Sequence, residues 1–331
     1  MTPRVAAWAG LAVVLLGWPL VVVRDFYVHV ANLILIYVIG AVSLNLLMRA
    51  GLLSFAHAAF MAIGAYTSTL LMMRLNVPFL PALVASGIVP GLVALGIGPI
   101  LLRLTGVYFV LVTFSLGEIV RLLIVNWISF TGGSNGIYGV PEASITLPGL
   151  TLPIASKVGS YYLALGVTAL VVALTARLCL SETGRALETI SEDALLAESV
   201  GVNTVRVKVL AFVVGAVLVG LAGSLYAHYI RYISPGDFTW RVSLDLIVIN
   251  VVGGTRSIAG PVISSVLIVT LPELLRRAVE YQWILYSLVL ILVLAFLPEG
   301  IVGLPARLRA WRGRRGSPLS ATAPGGGTPG E

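Results

Sequence analysis

Glu118 and Arg121 stand three residues apart inside an otherwise apolar run, Val107–Trp127. At helical spacing they share a face and can form an ion pair. Charged and polar groups in such runs are costly, so they tend to face a bundle interior or a water-filled path. The same reasoning singles out Asn45, Ser54 and His57 around Arg49-Ala50-Gly51, and, more weakly, Asp245 and Asn250. A helix broken at Arg49–Gly51 would expose backbone donors able to hold a carboxylate. The competing roles are structural: helix–helix hydrogen bonds, with Gly51, Gly64 and Ala65 giving close packing, and for Glu118 a buried pair with Arg121. No catalytic set accompanies these residues. The Gly-x-x-x-x-Gly-Lys-Ser/Thr phosphate loop is missing, so this chain is not expected to hydrolyse ATP. His29, His57 and His228 are too dispersed for a metal spacing, and His29 and His228 read as interfacial residues near span ends. Cys179, alone, can form neither an internal disulfide nor a Cys-based zinc site. No metal or cofactor is expected of the chain itself.

The elements that must position these residues follow from composition. Of 331 residues, 58% are hydrophobic and 11% charged, with a mean hydropathy of +1.02. A soluble domain carries about 25% charged residues, so the solvent is lipid. Candidate spans are Val5–Val23, Tyr27–Met48, Leu52–Met73, Pro81–Leu102, Val107–Trp127, Tyr161–Leu178, Val209–Ile230, Val242–Leu275 and Trp283–Leu304. The first follows Arg4, lacks a small-residue cleavage site and reads as a retained span. The eighth is interrupted by Gly253-Gly254-Thr255-Arg256-Ser257 and Gly260-Pro261. Glycine and proline weaken helices, and Arg256 at mid-bilayer would be costly, so this segment reads as two short helices and a loop. The expected fold is an all-α polytopic transmembrane bundle of about 8–10 spans with broken or re-entrant helices. Residues 1–304 form the membrane domain and 305–331 a basic, disordered cytoplasmic tail.

Charge placement orients the bundle. The net charge is +7, but Arg307, Arg309, Arg312, Arg314 and Arg315 crowd one stretch beside a span, which marks the cytoplasmic side rather than a nucleic-acid surface. The loop Ser181–Lys208, with Arg185, Arg206 and Lys208, belongs to that side too, as do both termini. Arg4, Arg49 and Arg103 fall inside, and Arg24, Arg74 and Lys157 outside. Arg276 and Arg277 also fall outside, against the rule. Residues 128–159, rich in glycine, proline and hydroxyl groups, read as an ordered external loop.

The most informative stretch, Gly184–Lys208, reads GRALETISEDALLAESVGVNTVRVK. Ser181 or Thr183 can cap a helix start. Ala194, Ala197, Glu198 and Gly201 are spaced to gather on one helical face, where small side chains let another surface approach. Gly201 and Asn203 then offer a stop and a turn. Such a helix can be a peg for a soluble partner, or an amphipathic helix lying on the membrane; pattern alone leans to the second. The stretch resembles, however, the ATPase-facing loop of the branched-chain amino acid ABC permeases of the LivH/LivM type. Further matches are NLLMRAGLLSFAHAAFMAIGAY at Asn45–Tyr66, GVYFVLVTFSLGEIVRLLIVNWISFTGGSNG at Gly106–Gly136, GLAGSLYAHYIRYISP at Gly220–Pro235 and GGTRSIAGP at Gly253–Pro261. The similarity spans roughly residues 30–305 and is closer to the LivM partner. The chain departs from that family at Ala56, usually glycine, at Glu188 and Ser191, often basic, and at Gly-Gly-Thr-Arg, commonly Gly-Leu-Gly-Thr.

The resemblance implies a multi-pass permease of the bacterial or archaeal cytoplasmic membrane. It would pair with a second homologous permease. Two cytoplasmic ATPases, which bind the ATP and magnesium, would dock on the loop through Gly184, Arg185, Ala194, Ala197, Glu198 and Gly201. A periplasmic or surface solute-binding protein would deliver leucine, isoleucine, valine or a related solute. The rival reading is a secondary transporter driven by protons or sodium, with Glu118 as its titratable residue.

Overall fold

A computed structural model describes residues 16–19, 25–147, 150–154 and 156–275, with isolated positions 284, 287, 288, 291, 300 and 301. Most of the first candidate span, nearly all of the last, Arg276, Arg277 and the basic tail lie outside the described residues. The described chain is a helix bundle, as the composition implies. Six helices are long and apolar enough to cross a membrane: α1 (Asp25–Met48), α2 (His57–Leu75), α3 (Phe79–Leu101), α4 (Gly106–Asn126), α5 (Lys157–Leu180) and α8 (Thr204–Ile230). Between α5 and α8 lie α6 (Glu182–Glu192) and α7 (Ala194–Ser199), and after α8 come α9 (Trp240–Gly253) and α10 (Ala259–Leu275). At 1.5 Å rise per residue the 24 residues of α1 reach about 36 Å, enough for a hydrocarbon core of about 30 Å. Helix ends coincide with local stop signals. Asn76 and Arg231 take left-handed conformations after α2 and α8. Ser156 and Asn203 cap α5 and α8 by accepting from Gly159 N at 2.9 Å and Arg206 N at 3.0 Å. Thr204–Lys208, read as loop in the sequence, are thus the first turns of α8.

Helix α8 is the axis of the bundle, packing on α3, α2 and α1. In lipid no hydrophobic force draws helices together, so contact depends on close packing of small residues. A Cβ on Gly220 would strike the Ser86 carbonyl of α3, and one on Gly64 of α2 would strike Gly220 itself. Gly223 lies equally close to the Met61 carbonyl. The glycines of two of the sequence motifs are therefore where three helix backbones touch. Phe60 and Phe212 fill the space below them edge to face, with centroids 5.3 Å apart.

The long eighth apolar segment is a hairpin of α9 and α10. Gly253 and Gly260 face each other with no room for a Cβ on either, and Gly254, at φ +100°, makes the turn. Ser264 Oγ closes the hairpin by donating to Ile249 O at 2.6 Å. Arg256 sits at its tip, exposed, and pairs with Glu192.

Contacts sort the loops into two ends. At one, Arg49 pairs with Glu188 and Arg256 with Glu192. At the other, Lys157 pairs with Asp25 at 3.0 Å and Arg231 with Glu142 at 2.6 Å, while Arg74 donates to the carbonyls of Ser129 and Phe130. Arg49 thus shares an end with the 181–203 loop, opposite Arg74 and Lys157. Among its described residues the segment after α4 holds a helical turn, Ile128–Thr131, and three strands, β1 (Ile137–Tyr138), β2 (Ser144–Leu147) and β3 (Leu150–Pro153). β2 pairs antiparallel with β3, and β1 with β4 (Tyr232–Ile233) just past α8. His228, read as interfacial, is buried there, with Nδ1 2.8 Å from Pro141 O.

Overpacking a tight backbone contact costs about 1–3 kcal/mol. Gly220→Ala should therefore lower the thermal midpoint of the detergent-solubilised protein by several degrees. Gly96→Ala, whose new methyl group meets nothing within 4 Å, should leave it unchanged or raised.

Candidate functional site: the 181–203 loop and the polar groups of the spans

The loop is two helices, not one. Asp193 leaves the helical conformation after α6 and caps α7, its Oδ1 accepting from Leu195 N at 2.9 Å and Leu196 N at 3.0 Å. A short acceptor at an N-cap satisfies donors that the helix start would otherwise leave unpaired. Ala194, Ala197 and Glu198 keep the i, i+3, i+4 spacing of one face within α7, and Gly201 lies past its end. Ala197 is fully buried against the bundle and Ala194 half-buried, while Glu198 is exposed. The Glu198 carboxylate accepts from Thr204 Oγ1 at 2.7 Å, tying the loop to the start of α8. Gly201 lies beyond the helix in a turn at φ +87°, the stop its sequence suggested, and is exposed. Gly184 abuts the Cys179 backbone where α5 turns into α6, so only glycine fits. Arg185 beside it is exposed. The outward surface is made instead by Leu195, 79% exposed, Leu196 and Val200. Sequence reasoning passed over these three. Their signal was there: apolar residues between charged neighbours with no helix face to bury them.

The interior polar residues form a linked set at the same end. Asn45 Nδ2 donates to Asn250 Oδ1 and to Thr255 O, each at 2.9 Å, while Asn250 Nδ2 donates to Ala41 O and Leu246 O. Asn45 Oδ1 accepts from Arg49 Nε at 3.0 Å. Asn45 and Asn250 therefore join α1 to the α9–α10 hairpin.

After Met48 the chain turns at Gly51 (φ +74°) and re-enters the bundle through buried Leu52, Ser54 and Ala56 before α2 begins at His57. This is the broken crossing that the sequence suggested. Its donors are not all free, however. Ser243 Oγ of α9 accepts from Ala58 N at 2.9 Å and donates to Phe55 O at 2.7 Å. Phe55 N donates to Thr113 Oγ1 of α4 at 3.2 Å, and Ser54 Oγ accepts from Ala56 N. His57 itself is fully buried beside Gly215 of α8, with the Ser43 backbone close to its ring and Nδ1 left without a hydrogen-bond partner.

Helix α4 is the span least covered by the described chain, 17% buried. It buries Phe109, Thr113 and Ile124. Tyr108, Ser115 and Asn126, seven and eleven residues apart, or about two and three turns, are exposed on the opposite side. Glu118 flanks this stripe and pairs with Arg121 Nε at 2.7 Å, as its spacing indicates, with 28% and 31% of the two side chains exposed. Exposed Leu111, Ile119 and Leu122 interleave with these polar residues, and Ser115 Oγ and Asn126 Nδ2 donate back to the Leu111 and Leu122 carbonyls, so the part of this face that is costly in lipid is the partly exposed ion pair. On the other side of α4, a cavity of about 650 Å³ opens among α2, α3 and α4, lined by groups such as Leu70, Val93 and Ile124. It is apolar, and none of Asn45, Ser54, His57, Glu118 or Asn250 reaches it.

Close-packed spans, a re-entrant crossing, a partly exposed ion pair and an apolar-tipped loop at one end define a polytopic membrane permease subunit. The chain belongs to the branched-chain amino acid transport system permease component family, whose model matches residues 26–297. It is 32% identical over 315 residues to the high-affinity branched-chain amino acid transport system permease protein LivM of Salmonella typhimurium, covering 88% of this chain and 73% of that one. The same figures hold for LivM of Escherichia coli. To LivH of Salmonella typhimurium it is 30% identical over 282 residues, 77% of this chain and 87% of the relative. No solved structure matches the chain.

An unpartnered buried polar group costs about 1–3 kcal/mol. His57→Leu should therefore raise the thermal midpoint. If the imidazole serves the transported solute, the same variant should lose uptake, and thermal unfolding measured beside an uptake assay separates the two effects.

Proposed function

We propose that this chain is the membrane-spanning subunit of an ATP-driven importer for branched-chain or chemically related amino acids. It acts in a bacterial or archaeal cytoplasmic membrane beside a second, homologous permease. The 181–203 loop and both termini face the cytoplasm. Two ATPase subunits, which bind ATP and magnesium, grip the loop, and an external solute-binding protein loads the opposite end. The observation that carries the reading is the loop's outward apolar tip, Leu195, Leu196 and Val200, on a scaffold fixed to α5, α8 and α1. A patch that protrudes beyond the spans and is anchored on several sides suits a protein groove better than lipid. The names of the similar LivM and LivH proteins supply the transport system and the solute class.

The solute's route runs along the exposed face of α4, between this subunit and its partner, past Glu118. Asn45, Ser54, His57 and Asn250 line the inner wall at the broken crossing, where the start of α2 and the buried imidazole meet the solute during a cycle. Closing the ATPases moves the loop, and the loop switches the route between outward and inward access.

Burying a leucine stabilises a contact by about 1.5–3 kcal/mol, so losing two should weaken docking more than ten-fold. Leu195→Asp with Leu196→Asp should therefore release the ATPases on purification of the complex while the bundle stays folded. ATPases retained in full, or uptake that continues without them and stops when the proton gradient is dissipated, would overturn the reading in favour of a gradient-driven carrier. Glu118→Ala should also cut leucine uptake about ten-fold or more, because the carboxylate stands on the solute's route, and lower the thermal midpoint by leaving the Arg121 charge unpaired. Adding Arg121→Leu should restore thermal stability but not uptake.

A further inference from the structure

The guanidinium of Arg49 reaches three separate elements. Its Nε donates to Asn45 Oδ1 of its own helix, one Nη donates to Arg256 O at the hairpin tip at 2.7 Å, and the other meets Glu188 Oε1 of α6 at 2.5 Å. Arg49 is nearly buried, its side chain 6% exposed, whereas that of Glu188 is 44% exposed. Glu188, Ser191 and Glu192 lie at i, i+3 and i+4, one face of α6. The buried residues of α6 are Gly184, Leu187 and Ile190, and these three polar residues border them on the side of Arg49 and the hairpin tip. Ser191 Oγ lies against Gly51, where an added Cβ would sit 3.3 Å from it, and Glu192 reaches Arg256 Nη at 3.1 Å.

We propose that Arg49 is the positioning residue that carries movement of the 181–203 loop into the spans, with Glu188 as its handle. The inference rests on the loop being ATPase-driven. Only the Glu188 arm crosses from the hub to the loop. If α6 moved alone, the Arg49 charge would stay in a nearly dry site without its counter-charge, a state far costlier than the intact pair. The guanidinium therefore follows the carboxylate. It is also bonded to the Arg256 carbonyl and to Asn45, which holds Asn250 and Thr255. The tip of the α9–α10 hairpin and the end of α1 consequently travel with α6, and the broken crossing that starts at Arg49 is pulled directly. Glu192–Arg256 has the same sign pattern but is exposed on both sides, so it contributes little.

The test uses the complete complex in proteoliposomes, with radiolabelled leucine uptake, ATP hydrolysis and thermal midpoint measured on the same preparations. Glu188→Gln keeps the shape and removes the charge. It should lower leucine imported per ATP hydrolysed about ten-fold, with hydrolysis changed less than about two-fold, and lower the midpoint because the Arg49 charge is left unpaired. Glu192→Gln should match wild type. An unchanged ratio in Glu188→Gln overturns the proposal. So does a fall of uptake and hydrolysis in the same proportion, which would make the pair a structural staple. An equal fall in Glu192→Gln would make the effect one of surface charge, with the same consequence. A wild-type complex showing no ATP-dependent leucine uptake would instead overturn the importer reading, and this inference with it.

Discussion

Inside a bilayer there is no water to satisfy a polar group, so every donor, acceptor and charge in the spans must find a partner within protein or line a cavity. Much of this architecture follows from that constraint. Serine hydroxyls in the helices turn back on their own backbones, as in Ser43 to Gly40 O, Ser68 to Ala65 O and Ser86 to Leu83 O. Ser243 does something different and more demanding. It spans the gap between α9 and the buried start of α2, accepting from one backbone group and donating to another. A re-entrant crossing is tolerable only with such a partner, and α9 is there to supply it because the hairpin is closed so tightly at Gly253 and Gly260. The constraint is left unmet at several buried atoms, His57 Nδ1 among them, together with Tyr66 Oη, Thr69 Oγ1, Thr175 Oγ1 and Ser224 Oγ. Unmet polar groups in an otherwise satisfied core are where function tends to collect.

The second organising fact is that helices here approach to backbone contact. Gly64, Gly220 and Gly223 bring α2, α3 and α8 together so closely that the shared core can only move as a block. Around that block the remaining elements are attached by fewer and more polar contacts. α4 touches it with three buried side chains, and α6 meets α1 and the hairpin through Arg49 and Arg256. A rigid centre with polar joints at its edge is suited to rocking, because joints of this kind can exchange partners while a glycine-packed interface cannot.

The spans, the split of the eighth segment and the pairing of Glu118 with Arg121 were legible in the sequence because each depends on local spacing: apolar run length, Gly and Pro positions, and three-residue separation on one helix. The kink at Asp193 was harder. The stretch from Ala194 to Gly201 has helical spacing throughout, and only the capping preference of an aspartate followed by two free backbone donors tells against continuing α6. The clustering of Asn45, Asn250, Thr255 and Arg49 was beyond reach for another reason. Its members lie more than two hundred residues apart along the chain, and no periodicity connects one helix to another. The motifs did mark these positions, but as separate strings, without showing that two of them meet.

Two of the departures from the family pattern gain a physical sense once the fold is known. Glu188 and Ser191, where basic residues are common in that pattern, lie on the single face of α6 that meets Arg49 and Gly51, and Arg256 of the unusual Gly-Gly-Thr-Arg string stands beside Glu192 on the same surface. A basic side chain at position 188 would face the nearly buried Arg49 guanidinium, and like charges at that distance repel strongly where water is scarce. The acidic residue on α6 and the basic hub beneath it therefore have to be read together. Such a change alters how firmly the loop is tied to the spans without altering the apolar tip that a partner would grip, so the strength of the coupling and the identity of the partner can vary independently in this fold.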